Sequence, residues 1–221
     1  MLVLFDLDDT LIETTTLIVE RRLDRLLDLM VEMGQNFEDR EAALQVFERL
    51  NRTAMSSKEA LGEFCFLFQI DDAIFQKCVA GLSDPDLSDV TLQMVTNSEK
   101  ILYDLKTLAT LVLVTKGDET FQMAKMKKAG LPYSLFSKIE VTQSSKKGCY
   151  ETILKEFKMP PSRCIVVADK VDDDLIPAKE LGMITVLYRT SRNRFHIVPE
   201  LCVDYVIEDM AQLYPIVEER C

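Results

Sequence analysis

Two hydrophobic rhythms alternate along this chain. Short apolar runs with little polar interruption occur at 2–5, 110–114, 139–141, 164–168 and 184–188, with a further candidate at 205–207. Each is too short to form a helix with a distinct face and reads as a strand buried on both sides. Between them, apolar residues recur every three or four positions. Leu17, Ile18, Leu23, Leu26, Leu27, Met30 and Val31 do so, with Arg21, Arg22, Asp24, Arg25 and Asp28 interleaved, which predicts a long amphipathic helix ending near Gly34. The same spacing predicts helices at 38–50, 56–69 and 71–82, with Ser56-Ser57 and Asp71-Asp72 as caps, and later at 98–108, 121–129, 150–157 and 176–181.

The order of these elements sets the fold class. Residues 14–92 contain no strand pattern and read as an all-helical insertion. Around it, 1–13 and 93–221 alternate strand and helix, which predicts an α/β, Rossmann-like parallel sheet with helices on both faces. Phe47, Met55, Phe64, Phe66, Phe68 and Phe75 in the insertion read as helix core rather than a ligand pocket.

Composition narrows the function classes. Of 221 residues, 48% are hydrophobic, and the net charge of −11 comes without any basic cluster, which argues against nucleic acid as a partner. Six cysteines are scattered without a Cys-x-x-Cys pair, and His196 is the only histidine, so a zinc centre is not expected. Dispersed thiols fit a reducing, cytoplasmic setting. No apolar run approaches membrane length, and no basic leader precedes Leu2, so neither a membrane span nor a secretory signal is expected.

The candidate chemistry lies at the strand ends. The first strand stops at Asp6, with Asp8, Asp9 and Thr10 following; the second at Thr115, Lys116 and Gly117; the fourth at Asp169, with Asp172, Asp173 and Asp174 beyond it. In a parallel sheet these ends share one edge, where open α/β folds bind their ligands. Asp6 and Asp8 start on the same side of an extended segment, and like charges that close raise each other's pKa unless a cation intervenes. A hard divalent ion suits such oxygen ligands, although Asp-rich turns after strands also arise simply as caps. Ser144-Ser145-Lys146-Lys147 lies before the 150–157 helix.

These segments resemble the haloacid dehalogenase superfamily of hydrolases over nearly the whole chain. Asp6-Leu7-Asp8-Asp9-Thr10 is similar to its Asp-x-Asp-x-Thr signature, Thr115 to its Ser/Thr motif, Lys146 or Lys147 to its lysine motif, and Asp169 with Asp173 or Asp174 to its acidic motif. The helical insertion resembles the family's cap domain. Ala168 stands where glycine is usual, and the lysine motif lacks its frequent proline, so spacing to Tyr150 favours Lys146 over Lys147.

The resemblance implies a magnesium-dependent phosphatase of a small phosphorylated metabolite. Asp6 would be the nucleophile and Asp8 the general acid and base. Thr115, Lys146, Thr10, Lys116 and Lys147 would face the phosphoryl group or the rest of the substrate. Asp6, Asp8 through its carbonyl, and Asp169 would hold the ion, with Asp174 steadying the lysine or a metal-bound water. The second aspartate favours phosphate esters over organohalides, because a halide leaves without a proton. A phosphomutase, a phospho-accepting regulator and an inactive binding relative are the alternatives. A monomer or homodimer is expected.

Overall fold

A computed structural model describes residues 1–54, 56–190 and 200–221. Met55 and His196 lie outside the described residues. The chain divides into two compact units, Met1–Glu13 with Thr91–Cys221, and Thr14–Val90.

In chain order, β1 (Leu2–Phe5) is followed by a π-helical turn, Thr15–Val19, that runs into α1 (Glu20–Glu32). Then come α2 (Arg40–Thr53), α3 (Ser57–Leu67), α4 (Asp72–Leu82) and α5 (Ser98–Lys106). After these the two types alternate: β2 (Thr110–Lys116), α6 (Glu119–Lys128), β3 (Phe136–Thr142), α7 (Lys146–Glu156), β4 (Cys164–Ala168), α8 (Ile176–Glu180), β5 (Ile184–Tyr188), β6 (Tyr205–Ile207) and α9 (Leu213–Glu218).

The helical unit is held by the stripe that its periodicity predicts. Leu23, Leu27, Met30, Phe47, Leu61 and Phe64 are buried together. Phe47 and Phe64 stack at 4.5 Å between ring centroids, a geometry that adds to plain area burial. Asp39 and Ser56 cap α2 and α3 by accepting from the amides of Ala42 and Glu59. Asp71 occupies the corresponding position of α4 but makes no capping bond. Phe66 departs from the core expectation: it is 84% exposed, because the α3 stripe runs through Ala60, Leu61, Phe64 and Cys65 and leaves Phe66 on the opposite face.

The six strands form one parallel sheet in the order β3-β2-β1-β4-β5-β6. β1 is central, and all four of its residues are buried. Leu2 and Leu4 pack with Val112, Val114, Val166 and Ala168 against Tyr150 and Ile153 of α7 and Ala178 of α8. A fully buried side chain of this kind contributes about 1.5–3 kcal/mol, so the central strands form the stable frame of this unit. The register sets Phe5 beside Leu113 and Val167, so Asp6, Thr115 and Asp169 emerge from three adjacent strands at one edge.

Several boundaries differ from the sequence reading. α7 begins at Lys146, not Tyr150, because Ser145 caps it by accepting from the Lys147 amide and its first turn carries no apolar signal. β3 is longer than 139–141; Lys138 and Glu140 alternate into it, as an edge strand permits. α7 is already over when Lys158 turns left-handed (φ +50°), ahead of Pro160 and Pro161. No helix among the described residues is long and apolar enough to cross a membrane.

Candidate active site

Asp6 leaves β1 with its amide still donating to the Val167 carbonyl (3.0 Å), which fixes its backbone in the sheet. The chain then closes a tight loop. The amides of Thr10, Leu11 and Ile12 return to the Leu7 carbonyl, and Asp9 adopts φ +56°, a conformation aspartate tolerates better than most residues. Asp6 and Asp9 are buried within this turn, whereas Asp8 is partly exposed.

Opposite Asp6 stands Lys146, in the first turn of α7 and 3% exposed. Its ammonium donates to Asp6 Oδ1 at 2.5 Å and to Asp174 Oδ1. The Tyr150 hydroxyl donates to the same Asp174 oxygen at 3.4 Å. A cation shared by two buried carboxylates explains how all three charges tolerate burial. Burial pushes the Asp6 carboxyl up to about 7; Lys146 pulls it down, and Asp174 and Asp8 oppose that pull. Burial works against the Lys146 ammonium, but Asp174 and Asp6 outweigh it and hold the proton above the usual lysine range.

This geometry separates the two candidate lysines. Lys147, next in sequence, points away and pairs with Glu180 at 2.7 Å on the exposed side of α7. Lys116 is likewise exposed and reaches Asp173 at 3.1 Å. Thr10 does not fit substrate contact: it is fully buried, and its hydroxyl accepts from the Asp169 amide at 3.0 Å, which ties two strand ends together.

Asp169 is 2% exposed; burial, then the charge of Asp9, pushes its carboxyl well above the ordinary range. Asp6 and Asp169 are thus hard oxygen donors whose ionised forms need a cation. That is the chemistry of a magnesium site, in which the ion keeps several waters and takes few side-chain ligands. No preformed group of three His, Cys, Asp or Glu side chains suited to a metal occurs among the described residues. The Asp8 side chain pairs with Lys125, and Lys146 is shared between Asp174 and Asp6. Ala168 ends β4 without a positive φ, so the alanine in place of glycine costs the backbone nothing.

Thr115 closes the edge. It is fully buried at the end of β2, and its hydroxyl accepts from Gln122 Nε2. Gln122 and Lys125 on α6 are site residues that the sequence reading missed. Lys125 is 2% exposed and pairs with Asp8 Oδ1, while Gln122 donates to Asp8 Oδ2 at 3.0 Å. The available signal was α6 itself, whose three- and four-residue spacing brings Gln122, Lys125 and Met126 onto one buried face in place of an apolar stripe.

A model of haloacid dehalogenase-like hydrolases matches residues 1–182. Two curated relatives, both named glyceraldehyde 3-phosphate phosphatase, align over almost the full length. The one from Methanocaldococcus jannaschii is 27% identical over 98% of this chain and 96% of the relative. The one from Pyrococcus furiosus is 24% identical over 99% and 93%. Among solved structures, a hydrolase of this superfamily from Bacillus subtilis, described as bound to magnesium, shares the fold with a TM-score of 0.66 at 19% identity, covering 98% of this chain and 97% of that one. With its central aspartate, buried lysine and acidic strand ends in one parallel sheet, this chain belongs to the haloacid dehalogenase-like hydrolase family.

Proposed function

We propose that the chain is a magnesium-dependent phosphatase that removes phosphate from a small phosphorylated metabolite. The observation that carries this reading is the buried ammonium of Lys146 held between Asp6 and Asp174 at the end of the central strand. The names of the two curated relatives support a three-carbon sugar phosphate as the first substrate to try. The helical unit Thr14–Val90 follows the first aspartate motif in the chain, and on that placement we read it as a cap that sets substrate choice.

In this mechanism Asp6 attacks phosphorus, forming an aspartyl-phosphate as the ester P–O bond breaks. Asp8 gives its proton to the departing alkoxide, which leaves as the alcohol. Asp8 then takes a proton from water, and the oxygen of that water attacks phosphorus. The P–O bond to Asp6 breaks, releasing phosphate and restoring the carboxylate. The Thr115 hydroxyl donates to a non-bridging oxygen, and Lys146 offsets the negative charge that gathers as Asp6 and the phosphoryl group approach. Asp6, the Asp8 carbonyl and Asp169 would hold magnesium, which when bound neutralises phosphoryl charge and aligns it for in-line attack.

The test is hydrolysis of p-nitrophenyl phosphate and a metabolite panel that includes glyceraldehyde 3-phosphate, with magnesium or EDTA, for wild type and Asp6→Asn. Magnesium-dependent release of phosphate that vanishes in Asp6→Asn is expected. Release that survives the substitution would overturn the nucleophile, and silence across the panel would overturn the phosphatase.

A further inference from the structure

We propose that Lys125 and Gln122 are positioning residues that fix the Asp8 carboxylate from both sides and aim the Thr115 hydroxyl. The inference rests on the phosphatase reading, in which Asp8 moves the proton. Asp8 lies on a loop with its side chain a quarter exposed, and a short carboxylate there would otherwise sample several rotamers. A general acid must instead stay within about 2.6–3.2 Å of the atom it protonates.

α6 supplies what the loop lacks. Its start is set by Asp118, which accepts from the Phe121 amide at 2.9 Å. Residues three apart then share a helix face, and Gln122 and Lys125 do so facing the sheet edge. Lys125 takes Asp8 Oδ1 and Gln122 takes Oδ2. Each oxygen therefore has its own donor, and rotation of the carboxylate would break both contacts. A buried ammonium is an expensive way to stabilise a helix face, since an apolar residue of the same size would serve at least as well. Its placement against a group that moves protons is a functional arrangement.

Gln122 carries a second effect. Its Nε2, which has two hydrogens to give, donates to Thr115 Oγ as well, with the Lys116 carbonyl as a longer neighbour sharing one of them (3.3 Å). A hydroxyl has one hydrogen to give. With Gln122 occupying an acceptor position on Thr115, that hydrogen turns elsewhere, toward the phosphoryl oxygens. Gly117 makes room for this amide: a Cβ there would stand 3.1 Å from Gln122 Cδ and 3.3 Å from its Cγ, at a backbone φ of +157°.

The test compares substrates that differ in their need for an acid. An alkyl phosphate expels a strongly basic alkoxide and depends on Asp8; p-nitrophenyl phosphate expels a stable phenolate and depends on it far less. Lys125→Met should lower kcat/KM for the best alkyl phosphate of the panel about tenfold more than for p-nitrophenyl phosphate, within the range that a positioned acid supplies. In an Asp8→Asn background the same substitution should have no further effect, because its target is gone. Gln122→Leu should add the same extra loss on the alkyl phosphate to a loss shared by both substrates through Thr115, and this excess carries the test if Lys125→Met does not fold, as judged by thermal unfolding. Equal losses on both substrates, or a full additional loss from Lys125→Met in the Asp8→Asn background, would overturn the positioning role. Absence of Asp6-dependent hydrolysis in the wild type would instead overturn the phosphatase reading itself.

Discussion

The backbone amide of Asp169 donates to the hydroxyl of Thr10 at 3.0 Å, which binds the loop after β1 to the end of β4. Both residues are buried, so removing the acceptor deletes a buried hydrogen bond. Thr10→Val keeps the shape and deletes the oxygen. It should cost about 1 kcal/mol of stability or somewhat more, the usual consequence of deleting one buried hydrogen bond. Because Asp169 is the neighbour released, magnesium affinity should fall as well. Urea unfolding and a magnesium titration of the variant check both; an unchanged midpoint would mean that the bond contributes nothing.

Lys146 and Lys147 are adjacent in sequence and opposite in surroundings. Lys146→Met leaves Asp6 and Asp174 facing each other without a cation, and breaking a buried pair in this way typically costs about 3–5 kcal/mol. Activity should vanish with it. Lys147→Met removes only an exposed contact with Glu180 and should alter neither stability nor turnover measurably. Parallel thermal scans and rate measurements on the pair decide which lysine serves the site.

The Asp6 carboxyl gives a pH dependence whose sign is fixed. Burial raises its pKa from the ordinary 3.8 to about 7. A carboxyl raised on folding contributes most where it is protonated in both states, and that contribution is lost as pH climbs through the folded value. With EDTA present, stability should therefore fall between about pH 4 and 7, and Asp6→Asn should flatten the decline. Magnesium, by favouring the ionised form, should restore stability most at the upper end. The measurement is the thermal midpoint against pH, with and without the ion.

Gly117→Ala tests the close approach of Gln122 without touching a charged group. The added methyl meets the Gln122 side chain at 3.1–3.4 Å, and φ of +157° is one that L residues rarely adopt. Turnover should drop about tenfold, the cost of shifting a hydrogen-bond donor by a fraction of an ångström, with a stability loss of about 1 kcal/mol. Wild-type kinetics in this variant would show that the amide tolerates displacement.

What the sequence reveals here follows from how each element buries its surface. β1, β4 and β5 coincide with their apolar runs, because strands covered on both faces have little room for polar residues, and the edge strand β6 coincides with its run although Val206 is half exposed. Asp6 and Asp169 stand out at the ends of β1 and β4, and Thr115 at the end of the apolar run in β2, for the same reason. The first turn of α7 was invisible, since Lys146 and Lys147 carry no apolar period and only the Ser145 cap marks the start. Lys125 was hidden more deeply. A lysine on a helix ordinarily faces water, and nothing local reveals that its partner is Asp8, 117 positions earlier.

The central place of β1 also constrains how the molecule is made. Leu2 pairs with Thr110 on one side and Cys164 on the other, so this strand leaves the ribosome long before either neighbour exists. At about 5–20 residues per second, roughly 10–30 s pass before both partners have been synthesised. Through that interval the helical unit, whose contacts are local, can already collapse on its own core, while the apolar segment Leu2–Phe5 waits uncovered beside Asp6. The strand that ends in Asp6 is thus among the last to be enclosed, and a chaperone that shields this short apolar segment would cover that aspartate at the same time.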